Sequence, residues 1–202
     1  MSWNFLASYK KSARGAKNRS LAGFGLVELL VSISIITIVM TIIFTRQGAF
    51  NTAILLRSQA YDIALTLREA QLSAISAEGE AGEFRNPTGV FFERSNPGVY
   101  KVFNDNDNPT DGFQSGEPET LYRLDPRFEI SDILVDGASV GVGGSVSVVY
   151  ERPNFDAVFF EDGSPTPSGQ KVEIVVSLKG ASPAQTKTVE VTDTGQIAVL
   201  NN

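Results

Sequence analysis

An α+β fold is what this sequence predicts: one long N-terminal helix followed by an antiparallel β-sheet or sandwich head. Three patterns point to it. The first is an apolar run, Phe24 to Phe44, with no proline and a single charge, Glu28. The second is a stripe of apolar residues spaced by three and four from Ala53 to Ala74. The third is a change beyond Gly79 to short segments with two-residue alternation, separated by Gly, Pro, Asn and Asp.

Residues 1–23 come first. They carry Lys10, Lys11, Arg14, Lys17 and Arg19 and no acid, a charge of +5. The rest of the chain has 12 basic and 23 acidic residues, a net −11. A basic tail ahead of an acidic body points to two environments. Between them, residues 24–45 form a candidate transmembrane helix. At ~1.5 Å per residue the 21 residues from Phe24 to Phe44 reach roughly 31 Å, enough to cross the hydrocarbon core. The positive-inside bias places the N-terminus in the cytoplasm and the acidic body outside. Ser34, Thr37, Thr41 and Thr45 form a small polar stripe within the run. Their hydroxyls either bond back to the preceding turn or mark a close-packing face between membrane helices.

Helical periodicity continues past Gly48. Ala53, Leu56, Ala60, Ile63, Leu67, Ala70 and Ala74 share a face, with Arg57, Asp62, Arg68 and Glu69 off it. Residues 46–79 therefore read as an amphipathic helix packed on its own domain, with Gly79 as the C-cap. A helix from Phe24 to about Glu78 would be roughly 80 Å long.

Residues 80–202 read as a β-rich globular head. Val90–Phe92, Val99–Phe103 and Thr120–Leu124 are candidate strands. Val146, Val148 and Tyr150 alternate, as do Val172, Ile174, Val176 and Leu178; Val189 with Val191 and Ile197 with Val199 complete the set. Asp193-Thr194-Gly195 marks a hairpin turn. Roughly eight strands fit an antiparallel sandwich or two packed sheets, expected to cover the Ala/Leu stripe. Segments 82–87, 104–118, 137–144 and 161–170 read as loops.

The chain holds no cysteine and no histidine. Disulfides and thiolate sites are excluded, and the commonest general base and zinc ligand are missing. The carboxylates show no recognisable catalytic spacing, and no enzymatic activity is expected. One loop suggests other chemistry. FNDNDNPTDGFQSGE places Asp105, Asp107, Asp111 and Glu117 around a glycine-containing turn, an oxygen-only set that suits calcium. The alternative is a solvated Asx-rich turn.

The acid within the apolar run asks for a partner. A carboxylate at the bilayer centre costs about 2.5–3.5 kcal/mol, less near an edge. Residues 23–30, GFGLVELL, suggest one. A cut between Gly23 and Phe24 would free an α-amine, cationic at neutral pH, about one turn from Glu28. In a staggered array, Glu28 of one chain could approach Phe24 of the next and set axial register. An uncut single-pass anchor with a basic flank remains the alternative reading of the hydropathy.

This octapeptide resembles the class III signal of bacterial type IV pilins and type II secretion pseudopilins. The resemblance implies that residues 1–23 are a prepilin leader, that a prepilin peptidase cuts after Gly23 and methylates Phe24, and that Glu28 supports assembly. Gly25 stands where Thr or Ser is more usual. Segment 61–77, YDIALTLREAQLSAISA, and the C-terminal VEVTDTGQIAVL resemble the H-type minor pseudopilins. The implied role is a structural subunit of a type IV pilus or type II secretion pseudopilus. Implied partners are other pilin subunits, the peptidase, an assembly platform and a motor ATPase. The implied location is the inner membrane, then a filament. Calcium in a head loop is known in this family. A DNA-binding minor pilin is the alternative, which the −11 charge of residues 24–202 disfavours.

Overall fold

The computed structural model describes residues 24–76, 86–106, 110–181 and 185–200. One helix, α1, runs Leu26–Ile75, and eleven strands follow among the described residues. The chain divides into two compact units, Met1–Thr45 and Arg46–Asn202. The α+β architecture is the expected one. The expected C-cap, Gly79, lies outside the described residues. The last carbonyls of α1 have another donor: the Arg152 guanidinium donates to the carbonyls of Ala74 and Ser76. Helix ends leave such carbonyls without internal partners, and a basic side chain supplies them.

The strands are β1 (Thr88–Glu93), β2 (Val99–Asn104), β3 (Glu119–Arg123), β4 (Phe128–Val135), β5 (Ala138–Ser139), β6 (Ser145–Tyr150), β7 (Ala157–Glu161), β8 (Ser164–Pro165), β9 (Lys171–Leu178), β10 (Thr186–Thr192) and β11 (Ile197–Leu200). They form a six-stranded sheet, β3-β2-β1-β6-β7-β8, and a five-stranded sheet, β11-β10-β9-β4-β5. Every pairing is antiparallel.

The stripe on α1 lands in the core. Leu56, Ala60, Ile63, Leu67, Ala70 and Ala74 are buried with Val90, Phe92, Val146, Val148 and Tyr150 of the first sheet and Ile130, Ile133, Ile174, Val176 and Val191 of the second. Ala53 shares the spacing but is exposed, so the buried face begins at Leu56. Spacing identifies the face of a helix, not the length of it that the sheets cover. Small alanines at 60, 70 and 74 let the strands approach the helix backbone closely, and the larger Leu and Ile fill the space between.

Four strands escaped the pattern. In β4 the register shifts between Ile130 and Asp132, so Ile130 and Ile133 both face the core. A bulge of this kind breaks two-residue alternation. In β7 both faces are apolar, since Ala157 and Phe159 join the main core while Phe160 joins a second cluster. The two-residue strands β5 and β8 lie inside segments expected to be loops, 137–144 and 161–170. They are too short to show any period.

Gln71 ties three pieces of chain together. It is buried, and its side-chain amide donates to the carbonyls of Phe155 and Gly195 at 2.8 and 3.0 Å. Gly195 sits in the β10–β11 turn that the sequence marked, with φ +75°, and a Cβ there would collide with the Phe155 carbonyl. A glycine is needed on both counts.

Candidate functional site

Leu26 opens α1, and its first backbone bond runs from the Leu29 N–H to the Gly25 carbonyl at 3.1 Å. Phe24 and Gly25 precede the helix, and Glu28 lies in its first turn. The partial positive charge of unpaired N–H groups at a helix start favours an acid there. Gly23, the residue before the expected cut, lies outside the described residues.

The surface of this segment is apolar and uncovered. Phe24 is 74% exposed, and Leu29, Leu30, Ile35, Ile36 and Ile42 are each more than half exposed. None of the most apolar 18-residue window is buried. A contiguous apolar surface of this size marks a partner or a lipid environment, and the length and hydropathy suit a membrane span. The polar stripe does not interrupt it. The hydroxyls of Ser34, Thr37 and Thr41 donate to the carbonyls of Leu30, Ile33 and Thr37, each at 2.8 Å, and Thr45 donates to Ile42 at 2.9 Å. Back-bonding therefore satisfies these groups within the helix, as the first of the two readings has it.

The family model for the prokaryotic N-terminal methylation motif matches residues 18–44. The chain carries the prepilin-type methylation signal. The match takes in Arg19, Gly23, Phe24, Glu28 and the apolar run to Phe44. With this motif on a bare apolar helix, the chain fits a membrane-anchored, pilin-like or pseudopilin subunit. No curated protein and no solved structure matches the chain.

The second candidate site, the acidic loop, is put together differently from an open ion cage. Asp105 is fully buried, and its Oδ2 accepts from the backbone N–H groups of Asp111 and Gly112, both at 3.3 Å. Glu117 accepts from the N–H groups of Asn106 at 3.1 Å and Gln114 at 2.7 Å. Asp111 accepts from the Gln114 side chain through Oδ2, while its Oδ1 has no hydrogen-bond partner among the described residues. Asp107 lies outside them. Among the described residues no group of three or more acids is placed to hold a metal ion.

These bonds fold the loop over the outer face of the first sheet, an arrangement the sequence did not reveal. Phe113 meets the ring of Phe91 at 4.6 Å and that of Phe103 at 5.4 Å. Val149 and Phe160 complete this second apolar cluster. The Phe113 N–H donates to the Ser147 hydroxyl, and Lys101 sits 4.5 Å from the Phe113 ring centre. Gly112 has φ +83°, and a Cβ there would press on Phe160. The only sequence signal was outward-facing aromatics on a predicted strand, and a strand's exposed face cannot announce what covers it.

Charge perturbations are few. Arg127 grips Asp125 through two side-chain hydrogen bonds, at 2.9 and 2.7 Å, and holds its carboxyl at about 2, below the usual carboxylate range. Burial raises the Tyr100 phenol, partly offset by its hydrogen bond with Thr66. Burial also raises Tyr150, whose hydroxyl has no partner among the described residues. None of these groups forms an acid–base constellation.

Proposed function

We propose that this chain is a structural subunit of a type IV pilus or type II secretion pseudopilus, cut after Gly23, methylated on Phe24 and assembled through its apolar helix. One observation carries the reading: the methylation motif coincides with a helix whose apolar surface is wholly uncovered. Burial against lipid first, and against other copies afterwards, gives that surface two successive partners. Glu28 is neutralised by the freed α-amine of a neighbouring copy, a pairing that makes correct stagger cheaper than any other. The role is assembly rather than catalysis. The head lies outside the membrane, and a prepilin peptidase, platform and motor ATPase act on the subunit. The likeness of 61–77 and 189–200 to H-type minor pseudopilins favours a minor subunit of a secretion machine.

The test is N-terminal mass analysis after co-expression with a prepilin peptidase. The expected product begins at a methylated Phe24; an intact Met1 start overturns the proposal. A Glu28→Ala variant should insert into the membrane normally and enter filaments poorly. Unchanged incorporation would remove the carboxylate from assembly.

A further inference from the structure

Within the head unit, Arg46–Asn202, α1 carries a second stripe that the sheets leave bare. Ile54, Tyr61, Leu65, Leu72 and Ile75 fall on alternating steps of four and three, with Ser58 and Arg68 at the two remaining positions. That is the seven-residue repeat by which one helix seats against another. The stripe lies on the side of the helix away from the buried face of Leu56, Ile63 and Leu67. Ile54, Tyr61, Leu65 and Leu72 are between 44% and 62% exposed. An open groove runs along Leu65, Leu72 and Ile75.

Four charged side chains stand on α1 between Ile54 and Ile75, and they are sorted. Arg57 falls one residue before a stripe position, whereas Asp62 and Glu69 each fall one residue after, so the cation lines one edge and the acids the other. Arg68 stands within the stripe and donates to the Ile197 carbonyl of β11 at 3.1 Å, on the side of the second sheet. Thr66, one turn from Asp62, hydrogen-bonds Tyr100 of β2 on the side of the first sheet. Arg57 lies over the Tyr61 ring, 5.4 Å from its centre, and donates to the Tyr61 hydroxyl at 3.3 Å. Arg57, Asp62 and Glu69 enter none of the ion pairs among the described residues.

We propose that this stripe pairs, parallel and in register, with the same stripe of a second copy of the chain. Charge chooses both the occupant and the direction. In a parallel pair of helices, a residue just before a stripe position faces the partner residue five places on. Arg57 of each copy then meets Asp62 of the other, an attraction made twice by symmetry. Antiparallel copies would set Arg57 against Arg57 and acid against acid. The Ile197 carbonyl draws Arg68 off the seam, so the two Arg68 groups do not meet. The contact goes beyond the assembly reading: it lies in the head and needs neither the cut after Gly23 nor the apolar run. The mass analysis and the assay below therefore fail separately.

The test uses the full chain in detergent under mild oxidation. The sequence has no cysteine, so single replacements report which residues meet. Ile54→Cys and Leu72→Cys, toward the two ends of the stripe, should each form like-with-like dimers. Ser168→Cys, in the exposed β8–β9 connection, should not. Arg57→Glu should slow both reactions roughly tenfold, because two attractive pairs become repulsive. Arg57→Glu/Asp62→Arg should restore them. Residues five apart do not face each other on one helix, so only the partner's charge can rescue. Dimers formed only between the two different Cys variants mean antiparallel pairing and overturn the proposal. So do rates no higher than that of Ser168→Cys, or a double variant as slow as Arg57→Glu.

Discussion

Removing the Gln71 side chain should loosen the head more than any other single polar change. Its amide is the donor for two buried carbonyls, Phe155 and Gly195, which join α1 to the 152–156 segment and to the β10–β11 turn. No other donor to either carbonyl is present among the described residues. A net hydrogen bond contributes about 1 kcal/mol, but a buried acceptor left bare costs about 1–3 kcal/mol. Gln71→Ala strips two at once, and the better helix propensity of alanine returns only a few tenths. The expected loss is about 2–4 kcal/mol, measured as a lower urea midpoint at unchanged slope, by circular dichroism of the full chain in detergent. Gln71→Glu sharpens the test. At neutral pH it turns a carboxylate oxygen toward two carbonyl oxygens. Burial and those carbonyls favour the protonated acid, which can donate, so its folded pKa lies above the unfolded one. That contribution is full below the unfolded pKa and is lost as pH rises through the folded one, so the variant should recover relative to the parent on acidification. A loss under about 1 kcal/mol for Gln71→Ala, or a Gln71→Glu protein as stable as the parent at neutral pH, would refute the reasoning.

Three further outcomes follow from named groups. Tyr150→Phe should leave stability unchanged or raise it by up to about 1 kcal/mol in the same urea assay, because the buried hydroxyl has no partner among the described residues; a clear loss would reveal a partner. Arg127→Gln should return the Asp125 carboxyl from about 2 to the ordinary range, read by NMR titration. The depressed folded value means the pair favours the fold above the unfolded carboxyl pKa and ceases to as pH falls toward 2, so the variant should narrow the acid side of the stability profile. Asp105→Ala should free the 111–113 segment from the Phe91–Phe103–Phe113 cluster and cost about 1–3 kcal/mol, with faster amide exchange at Gly112. The candidate calcium set of Asp105, Asp107, Asp111 and Glu117 is tested separately: if calcium organises this loop, adding the ion raises the melting temperature of the parent and a chelator reverses the rise.

The amino-acid order alone determined the membrane-length helix, the processing signal at its start and the face of α1 that the head buries. Each is a local pattern: a run, a fixed spacing, a 3.6-residue period. It also marked β1, β2 and β3 as short apolar segments, β6, β9, β10 and β11 by their alternation, and the glycine at 195 that turns the last hairpin. Tertiary structure decided the rest. The bulge in β4 and the double-faced burial of β7 hide their periods, because what covers each face comes from far along the chain. Candidate ligands by sequence, the carboxylates of Asp105 and Glu117 also accept backbone N–H groups of their own loop, which only the tertiary structure shows. Gln71 carries no signal at all in sequence, since its importance comes from two carbonyls 84 and 124 residues away. Periodicity is written locally because side-chain direction repeats with the backbone; partnership is not, because it depends on which distant groups the fold makes neighbours.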